Sequence, residues 1–176
     1  MDKQTPERPW WRIALVTVPL IVGIGSAIGY LSNSGYSNEW FARLDKPAFM
    51  PPSWVFGAVW TTLYTLMAVA LAMVLTLPDS PQRRAALTLF GVQLALNYGW
   101  SPFFFAGRMI DVALLLILAL LLAAAGTANL FRRSRPLAGW LLVPYLLWLC
   151  LATALNYEVG RLNPGADAAP LGITGA

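Results

Sequence analysis

Three stretches of an otherwise apolar chain set hydrogen-bonding side chains beside aromatic ones at helical spacing. Gln93 and Asn97 stand four residues apart, and Trp100 and Ser101 extend their stripe. Phe56, Trp60 and Tyr64 recur every four residues, with Thr61 and Thr65 beside them. Tyr145, Trp148, Ala152 and Asn156 fall at offsets 0, 3, 7 and 11, one helical face with a small residue between an indole and an amide. Such side chains stack on a flat ligand and hydrogen-bond its edge; they do not make or break bonds. The chain has no histidine, which removes the commonest general base, metal ligand and haem ligand together. No carboxylate lies near the centre of an apolar run, so no proton relay, metal cluster or nucleophile–base pair can be assembled there. Asp111 reads as a helix cap, and Glu158 as a partner for Arg161 three residues on. Neither a catalytic residue nor a metal site is expected.

These stripes must be held by elements, and the composition says which kind. Of the 176 residues, 58% are hydrophobic and only 11% charged, against about 25% charged in an ordinary soluble domain. A soluble surface cannot be covered with so few charges, whereas lipid removes the need. The expected fold class is therefore an all-α integral membrane protein, a bundle of five transmembrane helices in one domain over residues 1–161. The apolar runs are 13–31, 54–77, 85–105, 112–131 and 137–157. At about 1.5 Å per residue each is long enough for about 30 Å of hydrocarbon. Asp79-Ser80-Pro81 is a cap followed by proline and starts the third helix; Ser53 is placed to cap the second and Asp111 the fourth. Pro19, Pro102 and Pro144 fall within runs, which membrane helices tolerate when neighbours satisfy the freed backbone groups.

Polar side chains inside hydrocarbon are costly unless paired, so the Gln93–Asn97 face should turn into the bundle. On the same helix Gly91, Ala95 and Gly99 repeat every four residues on the opposite face. That small stripe suits close approach of a second helix, either within the chain or in a homodimer. Gly25 and Gly29 form a GxxxG that reads as tight packing. Eight tryptophans, Trp10, Trp11, Trp40, Trp54, Trp60, Trp100, Trp140 and Trp148, are more than interface anchoring requires. Aromatic stripes more often pack a core, but three runs that each bring an aromatic and a hydrogen-bonding group to one face favour a pocket.

Five crossings separate the termini. Lys3, Arg8, Arg12, Arg83, Arg84, Arg132, Arg133 and Arg135 fall on the N-terminal side and Arg43, Lys46, Arg108 and Arg161 on the other, eight against four. The positive-inside rule then places the N-terminus in the cytoplasm. The formal net charge of +4 follows from this bias, and no nucleic-acid partner is expected. The segment Met1-Asp2-Lys3-Gln4-Thr5-Pro6 does not read as a cleavable signal. The lone Cys150 forms no intrachain disulfide. The one long loop, 32–53, carries a short amphipathic helix over 38–44, stiffened by Lys46-Pro47 and Pro51-Pro52. It reads either as a lid over the bundle mouth or as a connection lying on the headgroups. Residues 162–176, rich in Gly, Pro and Ala, are expected to be a disordered tail.

The same residues resemble the TspO/translocator protein family, also called tryptophan-rich sensory proteins or peripheral benzodiazepine receptors. The resemblance spans about residues 13–163. It is carried by Trp40-Phe41-x-x-Leu44-x-Lys46-Pro47, by Pro51-Pro52-x-Trp54-x-Phe56-Gly57-x-Val59-Trp60-x-x-Leu63-Tyr64, and by Gln93-Leu94-x-Leu96-Asn97-x-x-Trp100-Ser101-x-x-Phe104-Phe105. Pro144-Tyr145-Leu146-x-Trp148, Ala152, Leu155-Asn156-Tyr157 and Asn163 complete it. Phe49 departs from the tryptophan many members carry before the double proline, and Ala58 from a further proline in some.

The resemblance implies a five-helix membrane fold, usually dimeric, that binds porphyrins, sterol-like lipids and benzodiazepine-type ligands. It maps pocket tryptophans onto Trp60 and Trp148, pocket amides onto Gln93 and Asn97, and a small position onto Ala152. Its sterol motif maps onto Leu155, Tyr157 and Arg161; read from the residues alone, that end is an interfacial tyrosine with a snorkelling arginine. The expected function is a sensor or transporter of tetrapyrroles or related apolar molecules. Protoporphyrin or haem is then the ligand and no cofactor is required. It would sit among Trp60, Tyr64, Trp100, Tyr145 and Trp148, oriented by Gln93, Asn97 and Asn156 beside Ala152, with propionates reaching Lys46 or Arg43. Two alternatives stand beside it: an enzyme degrading porphyrin by tryptophan-centred photochemistry, and a scaffold that transports nothing.

Overall fold

The computed structural model describes residues 9–175, which are helices and their connections without a strand. Lys3 and Arg8 of the charge count, and the proposed absence of a signal over residues 1–6, lie outside the described residues. The first helix, α1, runs Trp10–Leu31 and keeps Pro19 inside. Its buried positions, Ala14, Thr17, Ile21 and Gly25, recur every three or four residues and face the helix Ser53–Leu75. A short helix α2, Glu39–Arg43, follows, as the 38–44 stretch predicts. Its start is fixed by Asn38, whose side chain accepts from the Phe41 amide at 3.1 Å. Its end is fixed by Lys46, whose Nζ donates to the carbonyls of Phe41, Ala42 and Leu44.

Helix α3 is Ser53–Leu75. Ser53 does not cap it: the extended Pro52 holds that position and Ser53 is already the first helical residue. Its hydroxyl is thus one residue too late for the orphan amides. Helix α4, Pro81–Ser101, starts as expected, with Ser80 Oγ accepting from the Arg83 amide at 3.1 Å and Pro81 in the first turn. At Pro102 the ladder loses an amide and the chain widens into a π-helical turn, Pro102–Ala106, closed by the Gly107 amide on the Pro102 carbonyl. Helix α5 is Ile110–Ser134. The last run divides into α6, Pro136–Trp140, and α7, Val143–Leu162. Pro144 therefore lies in the first turn of α7, where its missing N–H costs nothing.

Helix α1 packs on α3, α4 on α5, and α5 on α6 and α7. Met67, Phe90, Leu114, Leu120, Phe131 and Leu149 fill the shared core. Outward-facing positions are as apolar as the core: Leu15 is 69% exposed and Leu122 76%. A surface of that kind suits lipid and not water. Four stretches are long and apolar enough to cross a membrane, Trp10–Leu31, Ser53–Leu75, Ile110–Ser134 and Pro136–Leu162. The fifth long helix, α4, has 21 residues but a lower apolar content.

Two expectations are corrected at the loop end. Asp111 is not a cap: Met109 holds that position, and the Asp111 carboxylate accepts from Leu171 N, Ile173 N and Thr174 Oγ1 at 2.8, 3.1 and 2.7 Å. Asp111 remains an acid in the first turn of α5, and its own amide is met by Asp167, whose Oδ2 accepts from it at 2.8 Å. The stretch 162–176 is accordingly not a free tail over its described part. Leu162 still belongs to α7, and residues 163–175 fold back across the ends of α5 and α7. Polar hydrogen bonds to a carboxylate, rather than apolar burial, supply the order that a Gly/Pro/Ala composition lacks.

Candidate functional site

A cavity of about 440 Å³ opens between α1, α3, α4, α5 and α7, roofed by the first loop and α2. Of the nine residues singled out as ligand-binding, Trp60, Tyr64, Asn97, Trp100, Trp148, Ala152 and Asn156 line it. Gln93 and Tyr145 do not: each is 1% exposed, in the layer behind the wall.

That layer explains what the amides do. Tyr64 OH donates to Asn97 Oδ1 at 2.8 Å, Asn97 Nδ2 donates to Tyr145 OH at 3.0 Å, and Tyr145 OH donates to Gln93 Oε1 at 3.0 Å. Gln93 Nε2 ends the chain against Met67 Sδ. A second network joins Trp100 Nε1 to Asn156 Oδ1 at 3.2 Å and Asn156 Nδ2 to the Ile110 carbonyl at 3.0 Å. The side-chain amides are thus engaged with the protein itself. They tie α3, α4, α5 and α7 together and hold the aromatic rings in place, with Asn97 and Asn156 also lining the cavity and Gln93 behind its wall.

The rings make the wall. Trp60 meets Trp148 edge to face at a centroid distance of 6.4 Å and lies 5.3 Å from Tyr64. Phe56 meets Trp148 at 5.7 Å, and Trp100 stacks on Phe104 at 4.8 Å. Between them Ala152 leaves space that a larger side chain would fill. Gly25 permits the close approach of α1: a Cβ there would overlap the Tyr64 ring.

The roof is anchored rather than loose. Phe41 of α2 packs edge to face on Phe104 and Phe105, the rings that the π-helical turn brings inward. Asp45 N donates to Asn163 Oδ1 at 2.8 Å, and Asn163 Nδ2 donates back to the Asp45 carbonyl at 2.9 Å. Trp40 Nε1 donates to the Ala166 carbonyl. Of the two cations expected to meet propionates, Lys46 is engaged on the α2 carbonyls and Arg43 pairs with Glu39 at 3.7 Å on the exposed side. Neither lines the cavity.

The sterol-motif residues separate. Leu155 faces the cavity, Tyr157 is 43% exposed on the outside, and Arg161 pairs with Glu158 at 2.8 Å. On the far side of α4, Gly91 and Ala95 are exposed, and a Cβ added at Gly99 would meet Leu116, opposite the buried Gln93 and Asn97. Phe41, Phe104, Phe105 and Ser34 line the cavity without having been singled out as site residues. The Phe103-Phe104-Phe105 run just after Pro102 was the available signal for two of them.

The model of the TspO/MBR family matches residues 15–162, which covers every wall residue described above. The chain belongs to the TspO/MBR family. It is 42% identical to the tryptophan-rich sensory protein of Cereibacter sphaeroides over 72% of this chain and 78% of that one. It is 38% identical to the human translocator protein over 89% of this chain and 93% of that one. Protein CrtK of Rhodobacter capsulatus is also 38% identical, over 72% of this chain and 79% of the relative. With its apolar helices, this TspO/MBR-family chain is a multi-pass integral membrane protein.

Proposed function

We propose that the chain binds a flat apolar ligand, a porphyrin or a sterol-like molecule, in the aromatic cavity and acts as a sensor or transporter of it. The observation that carries this reading is the cavity itself: about 440 Å³ with Trp60, Trp100 and Trp148 on its walls. Small-molecule sites of about 300–1,000 Å³, mostly apolar with few polar groups, are the common kind. Each aromatic contact adds about 0.5–1.5 kcal/mol beyond area burial. The relatives' names, translocator and sensory protein, agree with this reading.

The proposal includes five crossings, with α4 as the fifth. Its 21 residues suffice in length, and its two amides are buried against α3 and α7 instead of facing lipid. It also includes a cytoplasmic N-terminus, from the cation bias, and a homodimer through the exposed Gly91 and Ala95 with Gly99.

Titrating purified protein with protoporphyrin while following tryptophan fluorescence tests the ligand. A saturable quench at one ligand per chain is expected, with haem binding within a few-fold of the metal-free ring because the chain has no histidine to ligate iron. Quenching that rises without saturation, as in protein-free lipid, would contradict it.

A further inference from the structure

We propose that the chamber accepts only uncharged parts of its ligand. This rests on the ligand-binding reading above. Among the described residues, no Asp, Glu, Lys or Arg lines the cavity. Lys46 is held by three carbonyls, and Arg43 stands beside Glu39 on the exposed side, away from the lining. The amides are occupied too: Asn97 by two tyrosines, and Asn156 by Trp100 and a backbone carbonyl. A carboxylate placed inside would lose its water and gain no cation, which is strongly unfavourable. The acid groups of a dicarboxylic macrocycle must therefore stay outside the mouth, and a neutral macrocycle can enter further.

Ser34 borders the cavity, but its Oγ is buried and so offers a ligand no accessible donor. The turn around it is held tightly: Asn33 and Gly35 have φ of 50° and 103°, and the Ser34 amide bonds the Gly29 carbonyl at 2.9 Å.

The test compares protoporphyrin with its neutral dimethyl ester, using the full chain in lipid nanodiscs and subtracting uptake by protein-free discs. The diester is expected to bind at least as tightly as the diacid. A diacid that binds more tightly than its ester overturns the charge-free chamber. Failure of both macrocycles to bind overturns instead the ligand-binding reading beneath the proposal.

Discussion

The Tyr145 hydroxyl on α7 lies 3.0 Å from Gln93 Oε1 on α4 and donates its proton there. The same oxygen accepts from Asn97 Nδ2, so one buried hydroxyl joins two amides from a neighbouring helix. Tyr145→Phe leaves both amide groups short of a partner in a buried layer. A loss of about 1–3 kcal/mol is expected, measured by unfolding in detergent. Ligand affinity should fall much less than stability, because Tyr145 does not line the cavity. Unaltered stability would mean that the network is not structural.

The tail gives a second outcome. Asp111 holds Leu171, Ile173 and Thr174 through its two carboxylate oxygens. In Asp111→Asn one of those acceptors becomes a donor and the charge is lost. Limited proteolysis should then cut within residues 163–175 at least several-fold faster than in the unaltered protein, while the helices stay intact. Equal cutting rates would show that the fold-back does not depend on this carboxylate.

How the roof opens can be read from rates. Asn163 makes two hydrogen bonds to the Asp45 backbone and one to the Val159 carbonyl, tying the first loop to the end of α7. Asn163→Ala should speed both association and dissociation of protoporphyrin in stopped-flow fluorescence, with a smaller change in affinity. This outcome favours the lid over a loop lying on headgroups; rates unaffected by the substitution favour the latter.

Much of this arrangement is written in short-range patterns. Helix α2 was legible because its start and stop are local: Asn38 caps Phe41 three residues on, and Lys46 closes the carbonyls just before it. The inward face of α4 was legible because hydrocarbon leaves Gln93 and Asn97 nowhere else to point. What those amides touch was not, since it depends on Tyr64 and Tyr145 arriving from other helices. Asp111 was misread for the same reason. Its partner Thr174 lies 63 residues away, while local capping rules see only the residues beside it. Gly, Pro and Ala composition likewise carries no record of a carboxylate waiting for the tail's amides.

The ligand is proposed to occupy the cavity beside Ala152, which Trp60 and Trp148 also line. The most direct test is protoporphyrin binding to Ala152→Phe, followed by the porphyrin absorption band so that the readout does not depend on tryptophan. A side chain of that size fills part of the cavity without removing any hydrogen bond described above. The account predicts a folded protein whose affinity falls at least tenfold. Undiminished binding by that folded variant would contradict it.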